Sequence, residues 1–355
     1  MAAAALSSLL TWNDNYRNQT EDTEVFVLRS YAVAVIFCVI TMLCWGSWAN
    51  TQKLAGATWR FELFYWDYVF GVVLMAAIFA FTIGSFGRSG RNFLADLRQA
   101  KLTHVGSALL GGAIFNAANI LLVAAIALAG MAVAFPVGIG LALVVGVLVN
   151  YLKMPKGNPK LLFTGVALIA AAIILDAMAY RMLPDQAAGG IKGLVLAVLC
   201  GVLMGYFYRF VAASMSKDFV RMEAGKLSPY TAMVFFALGI LLSNFVFNTA
   251  IMIKPFTGDP VALTAYFEGT FQDHLWGILG GMIWAVGMTF SIIAFGVAGP
   301  AISYGLGQGA TLVAALWGVF IWHEFQHAPP TATPLIVLMF IGYVVGLGLI
   351  IRSGT

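Results

Sequence analysis

Charge is what this sequence has least of. Only 10% of its 355 residues are Asp, Glu, Lys or Arg, while 61% are hydrophobic. Soluble domains carry roughly 25% charged residues, so there are too few charges to cover a water-facing surface, and a soluble globular domain is excluded. Cysteine is scarce as well. Cys38, Cys44 and Cys200 all lie in apolar segments, where thiols pack as small apolar groups, so neither a disulfide framework nor a thiolate metal cluster is expected. The N-terminus lacks the basic start, apolar core and cleavage site of a secretory signal. Residues 1–30 read as a mobile cytoplasmic tail. The net charge of +4 says little about partners, because the basic residues are confined to loops.

What is present is apolar sequence in long runs, with a mean hydropathy of +0.91. A membrane-crossing helix takes about 20 mostly apolar residues. Spans are expected near 31–53, 62–85, 105–128, 131–151, 160–180, 191–213, 229–252, 275–297, 300–323 and 334–351. The runs 105–151 and 275–323 are each too long for one span and are divided at short Gly turns, 129–131 and 298–300. Fourteen of the 19 Lys and Arg fall on one side of this arrangement, among them Arg88, Arg91, Arg98, Lys101, Lys153, Lys156, Lys217, Arg221 and Lys226. Basic loops stay in the cytoplasm, so a multi-pass protein of the inner (plasma) membrane is expected, with both termini cytoplasmic.

The chain also repeats itself. Residues 111–144 lie without a gap over residues 280–313, and the shared register pairs Gly111 with Gly280, Gly112 with Gly281, Gly130 with Gly299, Gly138 with Gly307 and Gly140 with Gly309. Small residues that merely let helices pack closely do not explain a shared register. The expectation is an all-α protein of ten transmembrane helices, built as a first five-helix repeat over 31–180 and a second over 191–352. Five is odd, so the halves have opposite orientations, which is an architecture of secondary transporters.

Polar groups at membrane depth are costly, about 2.5–3.5 kcal/mol for a charge near the bilayer centre on insertion scales, and so mark candidate sites. Asp67 lies more than a turn inside span 2, flanked by Tyr65, Trp66 and Tyr68, and Glu62 opens that span. Both are candidates for proton coupling; the alternative is an interfacial aromatic belt with a snorkelling acid. In span 1, Trp45 and Trp48 share a face, as do Asn50 and Lys53. Lys53 is placed either to pair with Asp67 or to snorkel. Tyr65, Asn116 and Asn119, Trp284 at the repeat position of Phe115, and Tyr304 with Gln308 four residues on complete the candidate solute-binding set. Amides, hydroxyls and indoles around one or two ionisable groups suit a small polar, uncharged solute. Asp176 and Arg209 read as helix-end charges.

Several segments resemble the drug/metabolite transporter superfamily, and within it the ureide permease family with its bacterial relatives. They are YWDY (65–68), NY (150–151) followed by NPKLLFTGVALI (158–169), YTAMVFF (230–236) and LVAALWGVFIWHEF (312–325). The resemblance spans roughly residues 31–350. It implies proton-coupled uptake of heterocycles such as allantoin, uracil or related oxopurines, with Asp67 carrying proton coupling or substrate binding. Plant members have a long central cytosolic loop with a nucleotide-binding-like motif. The loop 214–228 here is short and has no G-x-x-x-x-G-K-[ST], which favours a gradient-driven mechanism. A more distant similarity to glucose/ribose porters and the rhamnose–proton symporter keeps a monosaccharide as the alternative solute. The expected partners are a solute, a proton and the lipid bilayer, with no nucleic acid; a homodimer stays open. No cofactor is expected.

One motif points elsewhere. HEFQH (323–327) fits the H-E-x-x-H pattern of an intramembrane zinc peptidase. That chemistry needs one helix running through both histidines and a third ligand. Pro329-Pro330 follows at once, which ends a helix. The reading is therefore a transporter with no catalytic or metal residues.

Overall fold

The computed structural model describes residues 26–56, 59–86, 90–129, 134–183, 191–256 and 258–355, leaving out the side chains of residues 127, 135 and 136. Among these residues nine helices are long and apolar enough to cross a membrane: Tyr31–Ala55, Phe61–Phe81, Leu102–Ile126, Pro159–Tyr180, Ile191–Ser214, Pro229–Ile253, Phe271–Ala298, Pro300–Ile321 and Ala332–Ser353. A shorter apolar helix, Val137–Lys153, stands where span 4 is expected. The protein is an all-α, multi-pass membrane protein, and these helices are called spans 1 to 10 in chain order. The expected turn at 129–131 falls largely outside the described residues, as do residues 1–25 of the expected tail.

The helix starts follow local chemistry. Asn158 and Ser228 cap the backbone N–H groups of spans 5 and 7, each followed by Pro at the first helical position, where its missing N–H costs nothing. Thr270 and Asp273 form a reciprocal capping box at the head of span 8. Between spans 8 and 9 the chain reverses at Gly299, whose φ of 82° is open to glycine.

Three spans are not continuous. Span 1 breaks between Ser47 and Ala49, at Trp48. Span 9 breaks between Gly307 and Ala310 and loosens into a π-helical turn over Trp317–Ile321. Span 4 begins within a π-helical segment, Phe135–Ile139, and becomes α-helical only from Gly140. Packing is organised around spans 3 and 8. Span 3 lies against spans 6 and 7, and span 8 against spans 1 and 2. Spans 4 and 6, 1 and 9, 2 and 7, 4 and 9, and 5 and 10 also pair.

The two ends of the bundle differ. At the basic end a short helix, Phe93–Gln99, is stitched to the 223–228 loop through the buried Asp96, which accepts from Arg91, Gln99 and the Ser228 N–H. At the opposite end a 3-10 turn, Leu263–Glu268, leads into span 8.

Candidate functional site

The broken helices surround a central cavity of about 220 Å³. Its wall is aromatic at mid-height, where Phe115 and Trp284 face each other at 4.4 Å and Trp45 stacks on Trp284 at 5.8 Å. Trp48 joins this wall and leans on Tyr68 at 4.8 Å. The polar lining consists of Gln52, Asn119, Gln308 and Thr311. Among the described residues no charged side chain lines the cavity. The amides of Gln52 and Gln308 make no hydrogen bond among the described residues, so their donors and acceptors are free for a solute.

From this floor the cavity runs toward the opposite end, past Gln52, Ile126 and Ala314. Toward the basic end the space is filled by a buried tyrosine plug. Tyr208 bonds to Ser291 and to Ser303 at 3.0 Å. Tyr304 donates to the carbonyls of Met204 and Ala142.

The sequence-predicted residues therefore separate into two groups. Trp45, Trp48, Asn119, Trp284 and Gln308 line the cavity. Asn50, Tyr65, Asn116 and Tyr304 do not. Asn50 spends its amide on the Ser47 carbonyl and on the Trp322 indole, which donates at 2.6 Å. Tyr65 donates to Asn116 at 2.9 Å and accepts from Asn119 at 3.1 Å, while Asn116 donates onward to Ser243. These groups satisfy one another, as polar groups buried away from water must. Glu62 sits against Arg60 at 2.7 Å, at the rim of span 2. Asp176 is buried within span 5 and is not exposed at a helix end.

Asp67 corrects the expectation most. Lys53 is not its partner. The lysine lies 2.6 Å from Glu324 and over the Trp322 ring, drawn there because the short helix after the Trp48 break faces the end of span 9. Asp67 is instead completely buried under residues that sequence reading passed over. Trp59 donates to one carboxylate oxygen at 3.3 Å, Tyr266 donates to the other, and Nδ1 of His274 lies 2.9 and 3.1 Å from the two. The three rings also pack on one another, with His274 5.0 Å from Trp59 and 4.7 Å from Tyr266. His274 reads as a loop residue in sequence, but it stands in the first turn of span 8. The signal that could have found it is Thr270-x-x-Asp273, the cap that starts this helix early.

A family model for ureide permeases matches residues 64–188 and 179–353 of this chain. The chain belongs to the ureide permease family. Among its relatives in Arabidopsis thaliana, ureide permease 1 is 21% identical over 93% of this chain and 99% of its own length. Ureide permease 2 is also 21% identical, with the same coverage. Ureide permease 3 is 26% identical over 44% of this chain and 46% of its own. A solved crystal structure with 16% identity superposes on 90% of this chain and 98% of its own, with a TM-score of 0.58, and so shares the fold.

The end of span 9 has no peptidase geometry. The helix stops in its π-helical turn, and His323 takes a left-handed φ of 51°, so His323 and His327 do not share a helix face. Glu324 is engaged by Lys53 and by the Tyr180 hydroxyl at 2.6 Å.

Proposed function

We propose that this protein is a secondary active importer of a small, planar, uncharged polar metabolite, a ureide or nucleobase, driven by protons that bind at Asp67, and that it is not an enzyme. The carrying observation is the central cavity. Its volume is below the roughly 300–1,000 Å³ of drug-sized sites, its wall is indole and phenyl, and its polar groups are neutral amides and a hydroxyl. A charged solute would lack a counter-charge there. A flat heterocycle with carbonyls and N–H groups would meet both stacking faces and amides.

Alternating access follows from two opposed repeats, 31–180 and 191–352. The packing supports this. Exchange each span for the one five places along, and the main pairings map onto one another or onto themselves: 3 with 6 becomes 8 with 1, 3 with 7 becomes 8 with 2, 4 with 6 becomes 9 with 1, and 2 with 7, 4 with 9 and 5 with 10 return to themselves. The glycines add detail. A Cβ on Gly112 would lie 2.0 Å from the Phe236 carbonyl oxygen, and one on Gly281 would lie 1.9 Å from that of Tyr68. Gly239 against Leu109 and Gly71 against Ile278 form a second such pair, both at 2.1 Å. One backbone-close crossing has thus been written twice. Broken helices around a midplane site belong to the same architecture, and Ile139 and Gln308, at repeat-equivalent breaks, both line the cavity.

With the basic end cytoplasmic, the cavity opens toward the outside and the tyrosine plug closes it from the cell. Uptake of labelled allantoin, uracil, glucose, ribose and rhamnose into cells expressing the chain tests this. Protonophore-sensitive uptake of allantoin or uracil is expected. Uptake of a sugar alone would move the substrate class, and uptake insensitive to the protonophore would remove proton coupling.

A further inference from the structure

We propose that His274 is the port through which the proton reaches Asp67, so that the coupling site is a two-residue relay with Trp59 and Tyr266 as its walls. The inference rests on the proton-coupling reading of Asp67 and adds how the proton gets there.

Asp67 cannot exchange a proton with water directly. Its side chain is 1% exposed, whereas that of His274 is 24% exposed. Trp59 and Tyr266 close the remaining approaches, and each offers Asp67 a donor that is not basic. Among the described residues His274 is the only basic group on the carboxylate. The other charges nearby are occupied. Arg60 holds Glu62 and the Asp259 carbonyl, and Asp273 caps its own helix through Thr270.

The imidazole is also oriented for relay. Nδ1 faces the carboxylate, and the far nitrogen, Nε2, faces Gly269, where a Cβ would stand 2.8 Å from it and 2.4 Å from the Trp59 ring. Only a residue without a side chain leaves that nitrogen its space. A proton from outside water binds Nε2 and the imidazolium passes its Nδ1 proton to Asp67. This leaves a neutral carboxylic acid and an imidazole protonated at Nε2, which regains the starting tautomer by exchange with water once the 263–268 turn lifts and opens Nδ1 to water. No other reactant is needed. Neutralising Asp67 weakens the charge-assisted hydrogen bonds that hold the 263–268 turn over span 2. Asp67 is also the chain neighbour of Tyr68, which packs on the cavity-wall ring of Trp48, so the coupling site and the cavity wall are linked through one residue and one ring contact.

The test separates exchange of solute from its proton-driven accumulation. His274→Gln keeps a donor for Asp67 but cannot relay a proton. Solute–solute exchange across proteoliposomes should stay within about twofold of wild type. Accumulation driven by an outside-acid pH step should slow by about 100-fold, the scale of a lost acid–base group. Added imidazole should restore accumulation in His274→Gly. Asp67→Asn is the control. If it keeps pH-driven accumulation, the coupling reading fails. If it loses accumulation while His274→Gln keeps the wild-type rate, coupling stands and the relay is overturned. If His274→Gln loses exchange as well and imidazole restores nothing in His274→Gly, His274 only supports the structure and the relay is again overturned.

Discussion

Asp67 and Asp96 are both fully buried carboxylates, and they are held by opposite kinds of partner. Asp96 accepts from Arg91 at 3.0 Å, from Gln99 at 3.0 Å and from the Ser228 N–H at 2.7 Å. Arg91 reaches on to the carbonyls of Glu223 and Lys226. A guanidinium does not give up its proton, so this cluster is a fixed clamp between two loops. Among the described residues no Lys or Arg pairs with Asp67. Its partners are an imidazole, a phenol and an indole. One buried acid is held by a guanidinium, the other by three ring groups. On the proposed proton-coupling reading, the nature of the partner, more than burial, separates the two acids.

The largest expected effect comes from neutralising each acid in turn. Asp67→Asn should cut pH-driven accumulation by about 100-fold or more while the purified protein keeps its melting temperature within a few degrees. Asp96→Asn should do the reverse, with accumulation per folded molecule near wild type and a clearly lower melting temperature. Loss of coupling in both variants would erase the contrast. Removing the cation should be nearly as harmful to folding. Arg91→Met leaves Asp96 buried and unpaired, which costs about 3–5 kcal/mol and should appear as a lower unfolding midpoint in detergent. His274→Gln removes no permanent charge and should not show that loss.

Within the cavity, Trp284→Ala removes the ring that Trp45 and Phe115 pack against. If a flat solute stacks there, affinity should fall by about 1–3 kcal/mol, roughly 5- to 150-fold, read as a rise in the half-saturating concentration for uptake. Tyr266→Phe should act more gently. Burial first, and then the carboxylate beside it, push the Tyr266 phenol well above its usual range, so it remains an O–H donor at every working pH and does not itself add an inflection. Its bond favours the charged form of Asp67. Without it the ionised state is less favoured, and the pH profile of uptake should move to higher pH. A move to lower pH would show that Tyr266 does not serve as that donor.

The all-α, multi-pass fold was readable because it depends on apolar length, which is local in the chain. Trp45, Trp48, Asn119, Trp284 and Gln308 were legible as cavity lining because indoles and amides stand out in an apolar run, although the same signal also picked Asn50 and Asn116, whose amides are spent on other residues. The wiring was not. Lys53 and Asp67 share an end of the bundle, and nothing in their spacing says that the Trp48 break turns the lysine toward Glu324. Asn116 and Tyr304 look like ligand groups until their partners on other spans are known. Trp59, Tyr266 and His274 lie 8, 199 and 207 residues from Asp67 and meet it only through the fold.

The smallest effect is expected at the ion pair that replaced the anticipated one. Lys53 and Glu324 lie 2.6 Å apart, yet the lysine side chain is 48% exposed. Exposed pairs contribute about 0–1 kcal/mol because water screens the attraction and two long side chains must be held still. Glu324 also keeps the Tyr180 hydroxyl when the lysine is gone, so it is not stranded. Lys53→Gln should therefore leave melting temperature and pH-driven accumulation close to wild type, with a small loss that vanishes at high salt. A loss as large as that of Asp67→Asn, measured in the same proteoliposomes, would mean that the end of span 9 closes on span 1 through this contact. The end of the bundle opposite the basic loops would then carry a second charged contact that transport needs, beside the one proposed at Asp67.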